Sequence, residues 1–266
     1  MTSPSYERHC AEITVQSDLL RACIEGADLT VPVPSCPGWH LGRLVRHLGE
    51  AHRWVEEIVR TRAQQPLPDT ALREEPAGPG DEQPADLGAW LVEGAKRLVE
   101  TLRETGPDAQ LWTPVSGPGG SSAFFARRMA HETLIHRADA ALALGAEFTV
   151  EADVAVDALD EWMELGSLPQ LFEIHPEQRE LLGPGRTLHL HATDTAPEAE
   201  AEWVVDLTGD TVTWRRAHEK AAVAVRGPLA DLLLTVYRRR PARGGSVDVL
   251  GDGHLLDFWL ERVSFG

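Results

Sequence analysis

The stretch Arg128–Asp139, RMAHETLIHRAD, sets a carboxylate and an imidazole four residues apart at Glu132 and His136. On a helix of about 3.6 residues per turn that spacing is a rotation of about 400°, so both side chains leave one face and point at one spot. An open zinc site needs three N, O or S donors and a free fourth position, and this pair supplies two of the three. His131 does not turn the pair into a metalloprotease motif, which needs two histidines at i and i+4 with a glutamate between them. It stands five residues before His136, about 140° round the helix, and faces elsewhere. On an arbitrary helix a Glu–His pair at this spacing is more often a solvated surface pair, so the third donor decides its meaning.

Helical periodicity extends on both sides of this stretch. Ile13, Leu20, Cys23 and Ile24 predict a first helix from Tyr6 to about Gly26, stopped by the glycine. Leu29–Gly38 (LTVPVPSCPG) is punctuated by prolines and reads as an extended connector. A second helix from Trp39 to about Arg62 carries Leu41, Leu44, Val45, Leu48, Trp54, Val55 and Ile58 on one broad stripe. Residues 64–85, rich in Pro, Gly and acids, read as a long surface loop. A third helix spans Asp86–Glu104, and Leu111–Gly120 (LWTPVSGPGG) reads as a second connector. Ser121 or Ser122 can cap a fourth helix that carries the opening stretch on to Leu144. A fifth helix follows at Glu151–Leu165. Long amphipathic helices with connectors of unequal length describe an all-α, up-and-down four-helix bundle over residues 1–165. Bundles build metal sites from side chains on facing helices.

After a linker at 166–184 the apolar period changes to two. Thr187–Thr193, Glu202–Leu207 and Thr211–Arg215 read as adjacent antiparallel strands, with Gly209-Asp210 as a tight turn. Ala221–Arg226 and Val247–Leu250 read as further strands, and Pro228–Arg238 and His254–Arg262 as helices. Residues 185–266 thus predict a smaller α+β domain.

At 266 residues the chain can bury a proper core in two domains. Its formal charge of −17 argues against a nucleic-acid partner, which needs a basic stripe. Three cysteines, Cys10, Cys23 and Cys36, are too few and too widely spaced for a disulfide framework or a thiolate zinc cluster, which fits a reducing, cytoplasmic setting. No run of about 18 uncharged apolar residues suggests a membrane span.

The third donor belongs on another helix, and the second helix offers His47 and His52. His47 lies beside the apolar stripe of Leu44, Val45 and Leu48, whereas His52 is rotated about 140° from it, so His47 is preferred. Arg128, one turn before Glu132, and Asp139, one turn after His136, continue the same face. Asp139 is placed to accept the spare N–H of a ligand histidine.

Three motifs together, PGW-x6-RHL at Pro37–Leu48, RMAHE-x3-HR-x-D at Arg128–Asp139, and HLHATD at His189–Asp194 followed by VRGPLADLLL, resemble the maleylpyruvate isomerase family of mycothiol-dependent enzymes. The resemblance covers nearly the whole chain. It implies a DinB-like N-terminal bundle, a C-terminal domain similar to the sterol-carrier-protein fold, and a divalent metal, usually zinc, held at the positions of His47, Glu132 and His136. It also implies mycothiol as the thiol cosubstrate.

A zinc ion with two imidazoles and one carboxylate keeps an open position and favours a bound thiol as the thiolate. The expected activity is therefore S-transfer to, or thiol-assisted isomerisation of, a small electrophile. The alternatives are a metal-stabilised small-molecule binding protein without turnover, and a zinc hydrolase that needs no thiol. Arg128 and Arg239 are the candidates for binding the thiol, and Arg239, in the run Arg238–Arg240, is also the candidate catalytic residue, meeting an anionic group across a domain cleft. A basic helix end answering its own dipole is the plainer reading of that run. Cys36, just before Pro37-Gly38, reads as an inert small cysteine rather than a nucleophile. His189 and His191 share one face of a strand but lack a third ligand. The composition fits a monomer or a homodimer equally.

Overall fold

The computed structural model describes residues 3–68 and 77–263; part of the long loop expected at 64–85 therefore lies outside the described residues. The chain divides into a unit Pro4–Phe148 and a second unit that begins at Thr149 and takes in Ser3.

The first unit is helical. Helix α1 (Tyr6–Ile24), α2 (Leu41–Thr61), α3 (Pro84–Thr105) and α4 (Ser122–Ala143) fall where the sequence predicts them, although α4 is buried around most of its circumference and carries no clear apolar period. Helix α1 packs on α3 and α4, and α2 packs on the same two helices. The side chain of Ser5 caps α1 by accepting from Arg8 N–H at 3.2 Å. Gly49 lets α2 approach α3 closely, because a Cβ there would stand 2.1 Å from the Trp90 ring.

The LWTPVSGPGG connector is a finding the sequence reading missed. Strands β1 (Gln110–Thr113) and β2 (Gly117–Ser121) form an antiparallel hairpin with an irregular register between Leu111 and Thr113. Its Gly/Pro content carries no period-two pattern, which is why it reads as coil. Ser121 is the N-cap of α4 without a side-chain cap bond, and the Ser122 hydroxyl donates to the Gly106 carbonyl instead.

The apolar core of this unit is in two parts. One contains Cys10, Ile13, Val55, Ile58, Leu98, Leu102, Phe125 and Met129. The other contains Leu20, Ile24, Leu41, Leu44, Leu48, Leu87 and Leu91. Between them along the helices lies a buried polar stratum that includes Gln16, His52, His131, Thr133, His136, Arg137 and Asp139. The Arg137 guanidinium donates to Gln16, and His52 Nε2 stands 2.9 Å from Thr133 Oγ1.

In the second unit, α5 (Ala152–Gly166), the short α6 (Leu171–Ile174) and a 3₁₀ turn at Pro176–Leu181 precede the sheet. The segment 166–184, expected to be a plain linker, is thus partly helical. Strands β3 (Thr187–Ala192), β4 (Glu202–Asp206), β5 (Thr213–Arg216), β6 (Val223–Gly227) and β7 (Asp248–Gly251) assemble in the order β5-β4-β3-β6-β7. The β3–β4 and β4–β5 pairs are antiparallel, as the alternation predicts, whereas β6 lies parallel to β3. Helices α7 (Leu229–Val236) and α8 (Gly253–Arg262) complete the unit.

Helix α5, which the sequence reading counted with the bundle, falls in this second unit and packs on α7. Trp162 of α5 lies against Tyr237 with ring centroids 4.1 Å apart. Asp160 accepts from the Trp203 indole N–H of β4 at 2.8 Å and from both Nε and Nη2 of Arg216. Helix α5 is amphipathic whichever unit it covers, so periodicity alone does not say where it belongs. Among the described residues no helix is long and apolar enough to cross a membrane.

Candidate metal centre

Helices α2 and α4 bring His47, Glu132 and His136 together, with one donor atom from each lying within 4.8 Å of the others. His136 Nε2 is 3.0 Å from Glu132 Oε1, and His47 Nε2 is 3.8 Å from the same oxygen. The ring centroids of His47 and His136 are 5.1 Å apart at 85°, so the two imidazoles converge edge to face rather than stack.

What surrounds the three fixes their orientation. Asp139 Oδ2 lies 2.9 Å from His136 Nδ1 and is fully buried. A carboxylate only accepts, so Nδ1 carries the proton and a neutral His136 turns the lone pair of Nε2 toward Glu132. Two lone pairs 3.0 Å apart need a cation between or beside them, either a second proton or a metal ion. Arg128 Nη2 donates to Glu132 Oε2 at 2.9 Å, which leaves Oε1 to the histidines. Trp39 closes one side, its ring centroid 4.8 Å from that of His47 and 6.5 Å from that of His136.

Charge follows this geometry. Burial opposes ionisation of Glu132, but the hydrogen bonds and charge of His136, with His47 and Arg128, overcome it and hold the carboxyl well below the usual carboxylate range. Burial likewise opposes protonation of His136, and the bonds to Asp139, Cys36 and Glu132 overcome it, raising the imidazole well above its ordinary value. The pocket is built for positive charge among these atoms. In a tetrahedral site with metal–ligand bonds of about 2.0 Å, ligand atoms stand about 3.3 Å apart. The observed 3.0 and 3.8 Å straddle that value, and all three donors lie within 4.8 Å of one another, so the donor set is of the kind that fits a divalent ion of the zinc class.

The two other histidines weighed for the site point away from it. His52 is wholly buried against Thr133, whose hydroxyl proton goes to the Met129 carbonyl at 2.6 Å, so the hydroxyl oxygen accepts from His52 Nε2. Burial, with the charge of Arg53 second, pushes this imidazole down to about 3. His131 packs edge-on against His9 of α1 with centroids 6.0 Å apart.

Cys36 is the residue that sequence reasoning undervalued. Its Sγ is 3.6 Å from Asp139 Oδ2, and it forms a close group with His136 and Asp139. The partner lies 103 positions along the chain, so only the folded connector reveals it. Arg239 lies in the second unit. Its Nη1 donates to the Tyr237 carbonyl at 2.9 Å, and it lines an open groove of about 510 Å³ with Arg238, Arg240 and Arg243. The backbone N–H groups of Arg238, Arg239 and Arg240 close the end of α7 on the Thr235 and Leu234 carbonyls, while the Arg240 guanidinium pairs with Asp231.

A helical unit with two histidines and a glutamate converging from facing helices, followed by a unit built on a mixed sheet, defines a recognisable class of two-part protein. Residues 10–141, within the helical unit, match the family described as the mycothiol maleylpyruvate isomerase N-terminal domain. Two solved structures, a mycothiol-dependent maleylpyruvate isomerase and a histidine-to-alanine mutant of such an enzyme, are similar over 94% of this chain and 95% of theirs. Each aligns with a TM-score of 0.62 at 18% identity, which establishes a common fold. No curated protein matches the chain.

Proposed function

We propose that this chain is a metal-dependent enzyme that uses mycothiol for isomerisation of, or S-transfer to, a small electrophile. The observation that carries the reading is the convergence of His47 Nε2 and His136 Nε2 on Glu132 Oε1, with the outer atoms of the carboxylate and of His136 already committed to Arg128 and Asp139. The family match over residues 10–141 supports the choice of thiol, and the likeness to maleylpyruvate isomerase supports isomerisation.

His47, Glu132 and His136 are the residues assigned to the ion, with zinc favoured by two imidazoles and one carboxylate. When bound, such an ion supplies positive charge that brings a thiol to its thiolate form near neutral pH. The remaining chemistry belongs to the chain. Asp139 holds the His136 tautomer that presents Nε2 inward, and Arg128 keeps Glu132 ionised and turned toward the histidines. Trp39 keeps water from one side of the site and stiffens both rings. Arg239 is assigned to the anionic groups of the thiol or substrate, a role supported by the four arginines gathered in its groove.

Untagged protein should lose one equivalent of zinc on His47→Ala or Glu132→Gln, measured by mass spectrometry of the metal content. Turnover of maleylpyruvate, or of a chlorinated dinitrobenzene, should require both mycothiol and that equivalent. Binding of mycothiol should release a proton. Full turnover in a His47→Ala, Glu132→Gln double variant would refute the metal role. Ester hydrolysis at equal rate with and without thiol would replace the reading by the hydrolase alternative.

A further inference from the structure

The motif HLHATD lies far in sequence from α2 and α4, and none of its residues is used by the site described above. His189 and His191 stand on one face of β3, two residues apart. Glu202 of β4 is the cross-strand partner of His191 and the diagonal neighbour of His189, so all three side chains share that face. The chain after β5 brings a fourth member, His218, to the same place: the Ala217 N–H bonds to the Glu202 carbonyl at 3.3 Å, and His218 follows at once.

The four donor atoms all lie within 4.8 Å of one another. His189 Nε2 is 2.8 Å, His191 Nδ1 2.9 Å and His218 Nδ1 2.6 Å from one and the same oxygen, Oε2 of Glu202. The three rings fan out edge to face, with centroids 5.4 to 5.8 Å apart. One carboxylate oxygen has about two lone-pair sites and does not satisfy three donors at once. Three imidazole nitrogens converging on one oxygen are better served by a cation among them, toward which each turns a lone pair. Opening the cluster by about half an ångström would give the ligand separation of about 3.3 Å that a tetrahedral zinc requires. His218 is exposed and forms the outer wall, which gives an ion a path in from solvent, while His189 is buried and forms the floor.

We propose that His189, His191, Glu202 and His218 form a second binding site for a divalent transition-metal ion of the zinc class. Three imidazoles and one carboxylate select such ions over magnesium and calcium, which prefer all-oxygen cages. Four protein donors close a tetrahedral shell and leave no open position, the mark of a structural rather than a catalytic ion. The ion ties β3, β4 and the segment after β5 to one another at a single point.

The test uses the untagged full-length chain carrying His47→Ala and Glu132→Gln, dialysed against micromolar zinc and, separately, cobalt. One equivalent of zinc per chain is expected on that background, and cobalt should give the intense visible absorption of a tetrahedral centre. Adding His191→Ala and His218→Ala should weaken this binding at least about 100-fold. If the first-site variant does not fold, the same two alanines are placed in the otherwise natural chain, where loss of one of two equivalents is expected. No zinc on the first-site background, or a stoichiometry unmoved by the two alanines in the natural chain, would overturn the proposal. Because each site is removed by its own substitutions, failure here is separate from failure of the α2–α4 centre.

Discussion

Asp139 is where the helical unit can be tested most sharply, because its carboxylate touches no metal ligand atom directly yet fixes one of them. It is fully buried and accepts the His136 Nδ1–H at 2.9 Å. A hydrogen bond to a charged group contributes about 1.5–3 kcal/mol, and loss of a partner that orients a metal-binding histidine lowers affinity about 10–100-fold, which is about 1.4–2.7 kcal/mol. The two figures agree, so Asp139→Ala should weaken zinc at the α2–α4 centre by about 10–100-fold. Asp139→Asn keeps an acceptor oxygen but loses the charge, and neutral bonds are about half as strong. It should therefore cost about 1 kcal/mol, a factor of about five. Affinity is read by chelator competition on metal-free protein, with circular dichroism to confirm that each variant is folded. Affinities ordered natural, then Asn, then Ala are expected. Equal affinity in all three, or Asn weaker than Ala, would refute the argument that Asp139 acts through the orientation of His136.

Three other outcomes follow from particular contacts. Asp160→Asn breaks the pairing with Arg216 and weakens the Trp203 bond in the second unit; with both partners mostly buried it should cost about 2–3 kcal/mol in urea unfolding, and a cost below about 0.5 would make the pair no better than a surface one. His52 is held at about 3, so between about pH 6.5 and about pH 3 the unfolded chain binds a proton that the folded chain does not, and stability falls as pH falls through that window. His52→Gln should flatten this acid limb by about 1 kcal/mol per pH unit, and an unchanged slope would assign the acid sensitivity to other groups. Arg239→Ala should raise the apparent constant for the thiol about tenfold while leaving zinc content unchanged; unchanged thiol affinity would remove Arg239 from the site.

Much of the fold was legible because long amphipathic helices and alternating strands write their period into the sequence. Helices α2 and α3 and strands β3 and β4 are of this kind, whereas α4 is buried around most of its circumference and carries no clear apolar period. The Glu132 and His136 juxtaposition was legible for the same reason, since four residues on one helix fix a face. Pairing across elements was less so. His47 was separable from His52 only by its place beside an apolar stripe, and the structure shows the physical difference, one histidine facing His136 and the other facing Thr133. The β1–β2 hairpin pairs Gln110, Leu111 and Thr113 with Ser121, Gly120 and Gly117, and glycines on the second strand leave no alternating side-chain pattern to read. The His218 contribution to the β3–β4 cluster was illegible in the same way, because a residue after a strand end has no periodicity to say where it points.

The polar stratum that divides the apolar core of the helical unit has a consequence for how its helices find one another. Apolar side chains above and below are mostly aliphatic, and a helix sliding by one turn would exchange many of them for near equivalents. The stratum allows no such exchange. A slip of about 5.4 Å along α4 would take Thr133 from His52, Arg137 from Gln16 and Glu132 from His47 together, breaking three pairings between helices at once. The greasy layers thus supply the adhesion and the polar layer the alignment, as a keyway fixes a shaft that friction alone would let turn.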